Sequence, residues 1–405
     1  MKPIVFQKLQ LPAGAYYTLL FSLAVIAGIG GLAAYYMEEN GHGVTGMNNQ
    51  IVWGLPHVFA VFLIVAASGA LNVASISSVF GRTAYKPLAR MSGLVAIALL
   101  VGGLAVLVLD LGRPDRLIVA MTSYNFKSIF AWNIFLYTGF IAVTGIYLWM
   151  MMERRMNVFM KTAALAAFIW RLALTTGTGL IFGFLVARQA YGTAIMAPLF
   201  IAMSFAFGLA IFQILISVIF RATASELGDY IILRMGRLLR WFIAGCVYFL
   251  IVYHLTNLYA AEHTGVETFV LLSGGTITQV FWIGQVFIGL ILPLAILMKS
   301  SCTTTTQVSL ASVLVIIGGL SAIYVIIIGG QAYPLVLFPG MEVSSSFFDG
   351  VFNSYSPSLP EFLLGMGGVA LSLLIILVAM RVMDFLPRSL ADKDINPHYK
   401  PEASA

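Results

Sequence analysis

The chain has 405 residues, 60% of them hydrophobic and 9% charged, with a mean hydropathy of +0.97; an ordinary soluble domain carries roughly 25% charged residues. A surface so poor in charge cannot be solvated by water, which excludes a soluble globular domain. The formal charge of +6 does not point to nucleic acid, because the basic residues fall in short segments between apolar runs rather than on one arm or face.

A membrane-crossing helix needs about 20 mostly apolar residues. Ten runs qualify, near 14–37, 52–80, 89–111, 128–152, 161–181, 195–220, 236–260, 275–298, 305–329 and 359–386. The expected fold is an all-α integral membrane protein of about ten transmembrane helices. The first run, preceded by Lys2 and Lys8, exceeds the roughly 7 to 15 residues of a signal-peptide core and is read as a retained span. Ten spans place both termini on one side. With that side cytoplasmic, the outer segments hold only Arg113, Arg116, Lys127 and Arg188, and Arg171 lies inside the fifth run, leaving seventeen of the 22 Lys and Arg residues inside. This bias predicts cytoplasmic termini in a bacterial or archaeal cell membrane.

Polar groups inside spans cost a few kcal/mol each, so each is a candidate functional residue. The second run begins VWGLPHVF and places Trp53 and His57 one turn apart near the outer interface. The third run ends VLVLDLGRPDR and brings Asp110 to the same depth. A short connection makes the two helices antiparallel neighbours, so His57 and Asp110 are expected to approach each other. A quinone exchanges two protons along with two electrons, and a histidine and a buried carboxylate are suitable groups for that exchange. The other reading pairs Asp110 with Arg113 at i,i+3, with Pro114 ending the helix.

The outer segment that follows carries Tyr124, Asn125, Lys127, Ser128 and Trp132. Tyr124 or Ser128 can hydrogen-bond a quinone, whereas Trp132 also fits an aromatic belt. Arg171 falls near mid-membrane, followed by Thr175, Thr176 and Thr178 and two glycines. That stretch suits either a proton path or an arginine that clamps backbone carbonyls. The seventh run carries His254 and Asn257, the eighth Gln279, Trp282 and Gln285, and Glu361 opens the tenth. They suit a second polar cavity and proton path, or, for the glutamines above all, hydrogen bonds between helices. The 330–358 segment has no Lys or Arg and many aromatics, which fits a docking surface or a loop on lipid headgroups.

Cys246 lies in an apolar run and Cys302 in a loop, so no cysteine metal or iron-sulfur site is expected in this chain. A single haem b would have to use His57 and His254, the histidines placed in spans at comparable depth. A secondary transporter is the rival from another class, but its site would lie near the midplane, whereas the ionisable residues here gather at the outer helix ends.

The WG that opens the second run, the DLGRP that ends the third and the FW near the top of the eighth resemble the NrfD/PsrC-type membrane subunits of respiratory complexes. The length and the PSLPEFLLG opening of the tenth run are similar to the longer, DsrP-type members, which belong to sulfite-reductase-linked complexes. The resemblance covers most of the chain. It implies two four-helix bundles, 52–190 and 191–330, flanked by 1–51, 331–386 and a cytoplasmic tail, 387–405. It also implies menaquinone or ubiquinone bound on the outer side of the first bundle, with no haem or metal in this chain. Electrons would pass to or from a periplasmic, ferredoxin-like iron-sulfur subunit, in a complex with a multihaem cytochrome c and other redox subunits of sulfur metabolism. His57 falls at the polar position of the second span, and Asp110 and Arg113 in DLGRP. Relatives often carry an acid after the FW of the eighth span, where this chain has Gln285.

Overall fold

A computed structural model describes residues 4–298, 304–335, 350–397 and 399. Lys2, Cys302 and residues 336–349 of the charge-poor segment lie outside them. Among the described residues, ten helices are long and apolar enough to cross a membrane. They are α1 Ala13–Asn40, α2 Leu55–Ser78, α3 Thr83–Leu109, α4 Ile129–Met152, α5 Arg154–Gly183, α6 Met196–Ala222, α7 Asp229–Tyr259, α8 Thr276–Met298, α9 Thr305–Ala332 and α10 Leu359–Val382.

Local chemistry sets several of these ends. Pro56 sits in the first turn of α2, where its missing N–H costs nothing. Helix α3 stops at Asp110, and Gly112 then takes a positive φ of 59° ahead of Pro114. A capping box starts α9, through Thr304 and Gln307, and at the start of α10 Glu361 accepts from Ser358 N, the glutamate half of the same motif. Four ends differ from the apolar runs by four residues or more. Helices α3 and α5 begin early because the 3₁₀ turns Thr83–Leu88 and Arg154–Phe159 lead into them. Helix α7 begins at Asp229, because its first two turns, with Asp229 and Arg234, precede the apolar stretch. Helix α10 ends at Val382, because Leu386–Pro387 leaves the helix to pair as strand β2 with β1, Phe6–Gln7.

The helices close two rings: α2, α3, α4 and α5 pack in sequence with α5 returning to α2, and α6, α7, α8 and α9 do the same. Helix α2 also packs along α6, and α1 packs on α10, which rests on α3 and α2. Helix α2 is therefore the central element, 89% buried over its most apolar window, against 17% for α1. The α2–α6 crossing is close because Gly69 faces the Ser204 carbonyl and Gly208 faces the Ala70 amide. A Cβ at either glycine would collide with the opposing backbone.

The β1–β2 pair brings both chain ends to the same end of the bundle. Backbone bonds from Leu9 N to Met380 O and from Arg388 N to Val5 O reinforce it. The opposite end holds the starts of α2, α4, α6, α8 and α10, and with them most of the polar side chains singled out above.

Candidate functional site

Antiparallel packing of α2 on α3 brings the first turn of one beside the last turn of the other. His57 Nδ1 lies 2.7 Å from Asp110 Oδ2, with the carboxylate fully buried and the imidazole side chain 15% exposed. The two atoms are within hydrogen-bonding distance without the alignment of a straight hydrogen bond, and among the described residues neither carboxylate oxygen has another hydrogen-bonding partner. An anion at a helix C-terminus faces the negative end of the helix dipole, so Asp110 depends on this imidazole for compensation. Trp53 stacks on His57 at 6.0 Å and 22°, and it meets Phe130 and Phe182 edge-on. The pair thus has one aromatic wall. No hydrogen bond engages His57 Nε2 among the described residues, so the partly exposed imidazole can offer that edge to a ligand.

The backbone that carries Trp53 is pinned from α9. Gln331, buried, accepts hydrogen bonds from Val52 N and Trp53 N at 3.0 Å and donates to Trp53 O at 3.0 Å. Arg188 donates to Gln50 O at 2.7 Å and to Gln331 O at 3.2 Å. Glu361 holds the same region from α10. It is fully buried and accepts from Gly46 N, Ser358 N and the Tyr355 hydroxyl at 2.8, 2.7 and 2.7 Å. Tyr355 in turn accepts from Leu55 N, in the first turn of α2. Burial, and then the neighbouring Glu361, keeps the Tyr355 phenol protonated far above its ordinary range. Glu361 thus reaches the head of α2 through Tyr355 and Leu55, within the turn that carries His57.

Arg113 does not reach Asp110. It is exposed and pairs with Asp115 at 3.0 Å, and its hydrogen bond holds the Asp115 carboxyl below the usual range. The i,i+3 pairing of Asp110 with Arg113 is therefore not formed, because Gly112 turns the chain outward. That turn is covered by His42, whose Nε2 would lie 2.9 Å from a Cβ at Gly112. Tyr124 and Trp132 belong to an exposed aromatic group with Phe126 and Phe135. Trp132 Nε1 donates to Phe126 O at 2.9 Å. Ser128 is the residue before α4 and makes no side-chain capping bond. Phe130, two residues on, is the α4 residue that meets Trp53.

Arg171 is completely buried between α2 and α6. Its guanidinium lies 4.9 and 4.8 Å from the rings of Phe168 and Phe205, and Nη1 donates to Ser68 O at 3.5 Å. Among the described residues its Nε and Nη2 have no partner, and no carboxylate pairs with it. Thr175 joins the group through Ser68 at 2.5 Å, whereas Thr176 makes no side-chain hydrogen bond among the described residues.

The second ring contains a pair that the sequence reading missed. His254 Nδ1 lies 2.6 Å from Glu267 Oε2, and Asn257 donates to Glu267 Oε1 at 2.8 Å. Glu267 lies in the short Thr264–Thr268 helix, outside every apolar run. His254 and Glu267 line a cavity of about 30 Å³ with Gln285, and Gln285 also lines a second of about 30 Å³ beside Cys246. Gln285 sits in a π-helical stretch, Val280–Ile291. Among the described residues it forms none of the inter-helix bonds expected of it, and its buried Oε1 and the His254 Nε2 both lack partners there. Each cavity has room for a water. His57 and His254 fall in different rings, each engaged through Nδ1 with its own carboxylate, and so are not placed as one axial pair.

The comparisons with known proteins agree with this architecture. An integral membrane subunit of an Hdr-like menaquinol oxidoreductase from Archaeoglobus fulgidus is 27% identical over 393 residues, covering 96% of this chain and 98% of its own. A putative membrane subunit of a dimethyl sulfoxide reductase from Halobacterium salinarum is 27% identical, covering 93% and 92%. A selenate reductase subunit from Mesobacillus selenatarsenatis is 22% identical, covering 91% and 93%. Residues 43–334, from the loop before α2 through α9, match the family model described as Polysulphide reductase, NrfD. On that match, the chain is a multi-pass membrane protein that belongs to the NrfD family.

Proposed function

We propose that this chain is the quinone-interacting membrane subunit of a multi-subunit oxidoreductase, and that the quinone exchanges protons with the His57–Asp110 pair. The observation that carries the reading is a buried carboxylate whose one ionisable partner among the described residues is a partly exposed imidazole, engaged through Nδ1. Subunits of menaquinol, dimethyl sulfoxide and selenate oxidoreductases are similar over nearly their whole length, which supports a quinol as substrate.

A quinol gives up two electrons and two protons. His57 Nε2 accepts one hydroxyl proton and Nδ1 hands its own to Asp110; the pair is reset once Asp110 releases that proton and the imidazole proton moves from Nε2 back to Nδ1. The second hydroxyl proton then follows the same route, while the two electrons pass to a redox partner subunit. Run backward, the same relay protonates a quinone. Trp53 and Phe130 provide a flat apolar wall for the ring. Gln331, Glu361 and Tyr355 fix the backbone that carries Trp53 and His57. Arg113, exposed and paired with Asp115, fits the rim of the site better than its interior.

The Lys and Arg bias assigns this end of the bundle to the outer face. Electrons would then pass to or from a periplasmic, ferredoxin-like iron-sulfur protein that shares a complex with a multihaem cytochrome c, and the DsrP-like PSLPEFLLG segment favours sulfur metabolism. Proton coupling would use Arg171, which has no acid partner among the described residues, with Thr175, and the His254–Glu267 pair with Gln285. Thr176 and Glu361 are the weaker members of that path, the first unbonded and the second fully engaged by three donors. The deciding experiment compares quinone extracted from, and quinol-linked electron transfer by, the complex built with the wild-type or the Asp110→Asn chain. Normal turnover in the variant would overturn the assignment.

A further inference from the structure

The end of the bundle that holds both termini has a cleft of its own. It measures about 410 Å³ and is lined by Phe6, Ser78, Lys86, Arg90, Met151 and Asn157, between the start of α3, the α4–α5 turn and strand β1. Arg90 is set into its wall. Its guanidinium lies 3.9 Å from the centre of the Phe6 ring and donates to Met151 O at 2.9 Å and Asp384 O at 3.2 Å. These bonds use two of the five donors of an arginine. The Asp384 carboxylate is near enough to act on Arg90 but forms no ion pair with it. Among the described residues Lys86 has no ion pair or hydrogen bond, and neither does the Asn157 amide. Two cations and an amide therefore share a cleft whose remaining walls are mostly apolar. The same α4–α5 hairpin that lends Met151 and Asn157 to the cleft also carries an apolar groove of about 300 Å³, lined by Val143, Ile146, Phe159 and Ala163.

We propose that this cleft seats the phosphate headgroup of an anionic phospholipid, with an acyl chain along the α4–α5 surface. A cation near a helix end without a carboxylate partner is placed for a fixed anion at the membrane surface, and basic pockets between helices on the cytoplasmic side take such headgroups. Arg90 supplies a rigid donor fork fixed by its backbone bonds and by Phe6, Lys86 a mobile charge, and Asn157 a neutral donor. A free phosphate would satisfy the same donors but not the apolar groove, so the two sources are separable.

The test is the phospholipid retained by the full-length protein after purification in mild detergent and exchange into mixed micelles of phosphatidylglycerol and phosphatidylcholine. Retained phosphatidylglycerol should fall about fivefold in Lys86→Gln, the factor one basic residue near an anionic surface is worth, with phosphatidylcholine unchanged. Because Arg90→Gln also removes two backbone anchors, Asn157→Leu serves as the second variant and should lower retention in the same direction. Phosphatidylglycerol should raise the melting temperature of the wild type more than that of Lys86→Gln. Equal retention in wild type and both variants, no preference for the anionic lipid, or full displacement by millimolar inorganic phosphate would each overturn the proposal.

Discussion

His57 Nδ1 and Asp110 Oδ2 stand 2.7 Å apart at the junction of α2 and α3, and among the described residues no other ionisable group pairs with that carboxylate. A positioned proton-transfer group typically contributes 10²- to 10⁴-fold. Asp110→Asn, which keeps the shape and removes the proton acceptor, should therefore lower quinol-linked electron transfer by roughly a hundredfold or more. His57→Gln should do the same, and the double variant should be little worse than either single one, because the two act as a unit. The measurement is turnover of a soluble quinol analogue by the assembled complex, with co-purification of the partner subunits as the control for folding.

Arg113 offers a contrast one short turn beyond Asp110. Its guanidinium is two-thirds exposed and its partner is Asp115, and exposed pairs of this kind contribute little. Arg113→Ala should leave turnover within about twofold of wild type, since an exposed pair is a minor term. The Asp115 carboxyl, held below its usual range by Arg113, should titrate closer to its ordinary range in that variant, measurable by NMR on selectively labelled protein. A large loss of turnover would return Arg113 to the interior of the site.

Membrane helices announce themselves by length and apolarity, so all ten spans were legible in the sequence. The His57–Asp110 meeting was also legible, because two antiparallel neighbours fix depth by residue count alone. Rotation about the helix axis was not. Whether Asp110 turned toward His57 or Arg113 depended on the positive φ of Gly112, which no periodicity encodes. Glu267 escaped for a different reason, since it sits on a five-residue helix between spans and becomes buried only when that helix folds back on His254. The Gln331 and Arg188 bonds to the 50–53 backbone link positions far apart in the chain, and long-range backbone acceptors leave no local signature.

Glu361 accepts three hydrogen bonds, from Gly46 N, Tyr355 and Ser358 N, at zero exposure. Hydrogen bonds to a charged group are worth about 1.5–3 kcal/mol each, and a buried donor left unpaired costs more still. Glu361→Ala should lower the melting temperature of the detergent-solubilised protein by several degrees and weaken retention of the 350–358 segment against α2, visible as faster hydrogen exchange there. Glu361→Gln should be intermediate, because its amide keeps one acceptor. If Glu361 instead carried protons, both variants would lose proton movement at unchanged stability.

Arg171 carries a charge into the bundle without an acid to meet it among the described residues, and two of its nitrogens have no partner there. Replacing a buried ionic group with an apolar side chain of similar volume is often neutral or stabilising. Arg171→Met should therefore fold, with a stability change within about 1 kcal/mol, and should retain quinol-linked electron transfer in detergent. In sealed vesicles the same variant should lose the proton movement that accompanies turnover. A folded variant with full proton movement would leave Arg171 a purely structural clamp on the Ser68 carbonyl.

Glu267 tests whether the two rings work separately. Its carboxylate is held by His254 at 2.6 Å and Asn257 at 2.8 Å, next to cavities that reach Gln285. Glu267→Gln keeps an acceptor for Asn257 but cannot pass a proton, whereas Glu267→Leu also strands the asparagine donor and should be the less stable of the two by about 1–3 kcal/mol. With the quinone confined to the first ring, both should support electron transfer by the solubilised complex at near wild-type rates while reducing proton movement in vesicles, Glu267→Gln as strongly as Glu267→Leu. Loss of electron transfer in Glu267→Gln as deep as that of Asp110→Asn would mean that the second pair also serves the quinone, since a proton path remote from the substrate cannot slow uncoupled turnover to that degree.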